Sequence, residues 1–181
     1  MRESPSWQNT LTTDCIRPGC IASIMTENSR LSQRIPTPCI GVCSTSISDN
    51  VCRGCKRFAH EVIDWNAYNL EQKQLIDQRL SLFLVQVMAD KFMITNQSLL
   101  EKQLQLQQVR YHAYKPPLVW LFELLRAGAG QIENTAEFGF IIQPGYTMNS
   151  LQQLREMVDL EFYQLSEAHY QRYVAPAFSV E

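Results

Sequence analysis

After residue 57 the apolar positions recur at helical spacing, broken by a few polar or proline-bearing stretches. Phe58, Val62, Ile63 and Trp65 predict a first short helix, with Glu61 and Asp64 on its polar face. Asn69-Leu70-Glu71-Gln72 has the form of a helix start, because the Asn oxygen accepts a backbone N–H and Gln72 reaches back in return. A second helix then runs to about Lys91, with Leu75, Ile76, Leu80, Phe83, Leu84, Val87 and Met88 along one stripe. A third is predicted from Asn96 to about Tyr114, stopped by Lys115-Pro116-Pro117. Leu118 to Arg126 reads as a short buried helix, with Gly128 and Gly130 able to take a left-handed cap conformation. Glu137 to Ile142 reads as a lone strand or packed loop closed by a turn at Pro144-Gly145. A last helix opens near Asn149-Ser150 and faces Leu151, Leu154, Val158 and Leu165 inward.

The N-terminal third has a different texture. Residues 1–35 are rich in Ser, Thr, Asn and Pro, show no apolar period and read as a loose leader, with Met25 as an alternative start. Cys15 and Cys20 fall there and read as thiols of a mobile tail. Pro36-Thr37-Pro38 then favours extended backbone. Gly41 permits a tight bend between Cys39 and Cys43, and Ser48-Asp49-Asn50 is a turn leading back to Cys52. The predicted fold is therefore mainly α: a small four-cysteine metal-binding knuckle or hairpin head, followed by a helical body of about five helices. The units expected are a leader (1–35), a four-cysteine module with two helices (36–94) and a helical extension (95–181). No internal repeat is apparent.

Composition narrows the function classes. A hydrophobic share of 45% over 181 residues supports a real core. A net charge of -2 argues against binding nucleic acid by general electrostatics. No apolar run approaches the roughly 18 residues that cross a bilayer. The start, MRESPSWQNTLTTDC, lacks the basic and apolar parts of an export signal, which places the chain in a reducing cytoplasm. There, close cysteine pairs serve as ligands or redox groups more often than as disulfides.

Cys39, Cys43, Cys52 and Cys55 form C-x3-C and C-x2-C pairs joined by eight residues. Thiolates bind soft or borderline metals because charge and polarizable sulfur offset the cost of stripping the ion of water. Four of them satisfy either tetrahedral zinc or an iron-sulfur cluster, and the spacing leaves both open. Either centre would carry about two negative charges by simple charge counting, which Arg53, Lys56 and Arg57 can compensate. The same three cations read alternatively as a nucleic-acid contact. Gly54 lets backbone N–H groups point at sulfur. A metal-free dithiol and two disulfides are the remaining alternatives.

The run Pro38-Cys39-Ile40-Gly41-Val42-Cys43, then Cys52-Arg53-Gly54-Cys55-Lys56-Arg57, then Glu61-Val62-Ile63-Asp64-Trp65 resembles the YdhL-type bacterial small proteins over residues 36–80. That family is a domain of unknown function described as iron-sulfur. The resemblance implies that the four cysteines act together as ligands and that the helix ending at Trp65 belongs to the module. The turn at Ser48-Asp49-Asn50 departs from the family's acidic-Gly pattern, and the long C-terminal body is absent from short relatives.

His60-Glu61 is followed by Asp64 where a zinc-protease helix has its second histidine, so that reading fails. His60, His112 and His169 read as surface or satisfied side chains, His60 being the nearest to the cysteines. Trp120, Phe122, Phe138, Phe140 and Tyr146 read as core. No nucleophile or acid–base constellation accompanies the ligands. The chain therefore reads as a non-enzymatic cytoplasmic metal-binding protein whose helical body binds a macromolecular partner. The alternatives are a redox or stress-sensing iron-sulfur protein and a nucleic-acid-associated zinc module.

Overall fold

The structure, a computed structural model, describes residues 35–45 and 48–178. The predicted leader, apart from Ile35, and with it Cys15, Cys20 and Met25, lies outside these residues. The elements are α1 (Ala59–Ile63), α2 (Leu70–Lys91), β1 (Phe92–Ile94), α3 (Gln97–Leu106), α4 (Pro117–Gly128), β2 (Phe140–Ile142), α5 (Leu151–Tyr173) and α6 (Ala175–Phe178). Helices dominate. Among the described residues no helix is long and apolar enough to cross a membrane.

Two long helices form the frame, and each starts where its cap dictates. Asn69 Oδ1 accepts Gln72 N–H at 2.9 Å and Gln72 Oε1 accepts Asn69 N–H at 2.9 Å. Ser150 and Gln153 repeat the reciprocal arrangement at α5. These bonds satisfy backbone donors that a helix start otherwise leaves unpaired. Along α2 the buried positions are Ile76, Leu80, Leu84, Val87 and Met88, whereas Leu75 is 61% exposed and leaves the predicted stripe. On α5 they are Leu151, Leu154, Val158 and Phe162.

Between them lies α4, apolar on nearly every side. Val119, Trp120, Leu121, Phe122, Leu124 and Leu125 are all buried, because α2, α3 and α5 each pack against this helix. The predicted aromatic core holds: Trp120, Phe122 and Phe140 are buried, and Phe138 and Tyr146 pack against the same cluster.

Three boundaries differ from the sequence expectation. Helix α3 stops at Leu106, eight residues early, where Gln108 adopts φ +54° and Val109 N–H returns to Leu104 O at 2.9 Å. Helix α4 continues past Arg126 into a 3-10 turn at Ala129–Gln131, and Gly128 sits at φ -167°, so no left-handed glycine cap ends it. The segment ending at Ile142 is not a lone strand. Residues Phe140–Ile142 pair antiparallel with Phe92–Ile94, and Phe92 and Phe140 meet edge to face at 6.0 Å. Gly139, at φ +75°, allows the pairing, since a Cβ there would lie 2.3 Å from Asn96 O.

Buried ion pairs join the frame. Lys91, fully buried at the end of α2, donates to Glu161 on α5 at 2.6 Å. Buried Asp77 accepts from Lys115 at 2.7 Å and from the Tyr114 hydroxyl at 3.4 Å, and burial together with that carboxylate pushes the Tyr114 hydroxyl up to about 12.

Candidate metal centre

Residues 50–59 form a tight hairpin with the second cysteine pair at its tip. Ala59 N–H bonds Asn50 O and Cys52 N–H bonds Arg57 O, each at 2.8 Å, and Val51 bridges Phe58. The hairpin thus runs across Cys52–Cys55 rather than between the two pairs. Lys56 closes it at φ +59°, a left-handed conformation that costs a non-glycine residue about 1 kcal/mol or more. Its ammonium offsets that cost. Lys56 is 2% exposed, and its Nζ donates to Arg53 O at 2.7 Å, to Gly54 O at 3.3 Å and to Asp159 of α5.

The first pair lies on a loop packed against this knuckle. Gly41, at φ +87°, makes the bend between Cys39 and Cys43. A Cβ on Gly54 would stand 2.2 Å from Val42 O, so glycine is required for the loop's close approach. The Ser44 hydroxyl accepts Arg53 N–H at 2.8 Å, a further link between the two pairs.

The four sulfurs have unequal surroundings. Cys52 is 1% exposed. Burial alone would raise its thiol, but backbone N–H groups of Cys55, Ser44 and Gly54, together with the Cys55 side chain, outweigh burial and lower it to about 7. Cys55 is also buried, and burial pushes its thiol up against the pull of Arg57, whose Nε donates to Cys55 Sγ at 3.3 Å. Cys39 and Cys43 are exposed; Cys39 Sγ accepts Gly41 N–H at 3.5 Å, and Cys43 Sγ lies 3.1 Å from Thr45 Oγ1. The fold brings Cys52 and Cys55 together and lays the other pair's loop on them. Among the described residues, no three Cys, His, Asp or Glu side chains converge as a metal-holding group. Cys39, Cys52 and Cys55 carry no disulfide.

The three predicted cations separate. Arg57 is buried, touches sulfur, and stacks over Trp65 at 4.8 Å, leaving its Nη1 without a partner. Lys56 is committed to carbonyls and Asp159. Only Arg53 is exposed, and it pairs with Asp49 at 2.9 Å. Two of the three cations are thus buried, and Arg53 is the one of them that reaches the surface. Trp65, 8% exposed, joins the main core.

A second set of contacts escaped the sequence reading. Glu61, expected on a solvent face, is 4% exposed, whereas Ile63 is 77% exposed. Glu61 accepts Phe58 N–H at 2.9 Å and a bidentate pair from Arg79 of α2 at 2.5 and 2.7 Å. The Arg79 guanidinium lies 3.8 Å over the Phe58 ring, which also meets Tyr170 and His169 of α5. Burial, aided by Arg79, lowers His169 below its ordinary range. The signal available was Glu61 three residues beyond Phe58, the spacing of a first-turn carboxylate that reaches back to the chain. His60 packs 5.9 Å from Phe58, and His112 is exposed.

The profile of a family described as proteins of unknown function (DUF1289) matches residues 37–83. The match is well under half of the chain. It contains all four cysteines, Trp65, Glu61 and Arg79, and it stops before Asp159. No curated protein and no solved structure matches the chain.

Proposed function

We propose that Cys39, Cys43, Cys52 and Cys55 hold a four-thiolate centre, zinc or an iron-sulfur cluster, in a non-enzymatic protein of the reducing cytoplasm. The observation that carries this reading is the environment of the Cys52 sulfur. It is removed from water and donates to Val42 O at 3.7 Å, and the backbone N–H groups of Cys55, Ser44 and Gly54 favour its anion over that thiol form. Burial to 1% shields it from a substrate disulfide, which favours a ligand over an exchange nucleophile. Arg57 supplies the compensating cation at Cys55, and the 39–43 loop, packed on the knuckle, supplies the other two donors. Four thiolates leave a bound ion no open position, so the centre would be structural, electron-carrying or sensing rather than hydrolytic.

The helical body would carry the macromolecular contact. Leu75 and Leu82, seven residues apart on α2, are both exposed, and Leu82 with Tyr114 borders a groove of about 500 Å³. A partner retained at unchanged affinity by Leu82→Glu would remove this surface from consideration.

Zinc, iron and sulfide analysis of anaerobically purified protein, with its absorption spectrum, tests the centre. One zinc per chain, or iron with sulfide and visible absorbance, is expected, and loss on Cys52→Ser and Cys55→Ser should follow. A folded, metal-free protein with all four thiols titratable would sink the reading.

A further inference from the structure

We propose that the cavity between the 36–40 strap and α4 binds a small phosphate- or carboxylate-bearing molecule, independently of any metal. The cavity has a volume of about 330 Å³, at the small end of ligand pockets. Arg110, His112, Lys115 and Arg126 line it against two carboxylates, Asp77 and Glu123. These cations are not equally available. Lys115 is committed to buried Asp77 at 2.7 Å. Arg126 meets Glu123 at 3.0 Å across one turn of α4, with both partners about a third exposed, and such a pair is weak enough for a ligand to replace its carboxylate. Arg110 has no ion pair or hydrogen bond among the described residues. Arg110 is therefore open to an anion and Arg126 can exchange Glu123 for one, and their planar forks match phosphate and carboxylate oxygens.

The loop bearing these groups is already fixed. Trp120 Nε1 donates to His112 O at 2.8 Å, Lys115 N–H to the same carbonyl at 2.9 Å, and the Tyr111 hydroxyl to Glu101 at 2.8 Å. Little ordering remains to be done on binding. Cys39 belongs to the same wall, so an occupant covers one exposed thiol of the head.

The test is calorimetric titration of the full chain, its metal content measured first, with inorganic phosphate, pyrophosphate and citrate at low salt. One-site saturable binding is expected for at least one of them; pyrophosphate against citrate separates phosphate from carboxylate recognition. Arg110→Ala and Arg126→Ala, both at exposed positions, should each weaken binding about tenfold or more without unfolding the chain. In protein found to be metal-free, a saturating anion should also slow alkylation at Cys39 relative to Cys43, read by mass spectrometry. Absence of saturable binding by all three anions, or unchanged binding in the double variant, overturns the proposal whatever the metal content.

Discussion

In the hairpin at 50–59 the buried groups include two sulfurs, a lysine and an arginine, whereas between α2, α4 and α5 they are nearly all hydrocarbon. The body gains about 0.8 kcal/mol for each buried CH₂ group, wherever its partner lies. The head gains from directional bonds, and several of those end on α2 or α5: Glu61 on Arg79, Lys56 on Asp159, Phe58 on Tyr170. The difference teaches that the body is held mainly by apolar packing and the head mainly by bonds that reach α2 and α5.

The body should fail most severely. Leu121→Ala, at a fully buried site on α4, is expected to cost about 2–5 kcal/mol in a denaturant melt, and head and body should unfold together. Glu61→Ala strands Arg79 against Phe58 and should cost roughly 3 kcal/mol, the lower end for breaking a buried pair because Arg79 retains some exposure. That loss should be local: amide exchange ought to rise in 50–63 while α4 and α5 keep their protection. Equal deprotection everywhere would erase the distinction between the regions.

Smaller changes sharpen the comparison. Gly54→Ala forces a Cβ against Val42 O and should lift the 39–43 loop off the knuckle at a cost of about 1–3 kcal/mol, read as reduced metal retention with an unchanged body. Asp159→Asn removes the far partner of Lys56; because Asp159 is half exposed, about 1 kcal/mol is expected, detectable as faster exchange at Arg53–Lys56. The mildest effect is that of pH on the metal-free chain. The Cys52 thiol is lowered from 9.0 to about 7, so its anion stabilises the folded head fully above pH 9 and that contribution is lost as pH falls through 7. Head protection should rise between pH 7 and 9, and Cys52→Ala should flatten the rise.

The features legible in the sequence were those completed within a few residues. Asn69 with Gln72 and Ser150 with Gln153 mark helix starts because each cap closes on its own first turn. Gly41 could be assigned its bend because a positive φ is a property of one residue, whereas the close approach at Gly54 comes from Val42 O, twelve positions back, and was not foreseen.

Tertiary structure alone decided where the charges went. Lys56 looks like a solvated basic residue until Asp159, 103 positions away, comes beside it. Glu61 looks like a polar face until α2 delivers Arg79. Three-residue β1 carries too little period to be seen before Phe140–Ile142 pairs with it. Helical stripes and caps depend on bonds between near neighbours, which sequence spacing encodes directly. The burial of a charge depends on its remote partner, and only the packed chain brings the two together.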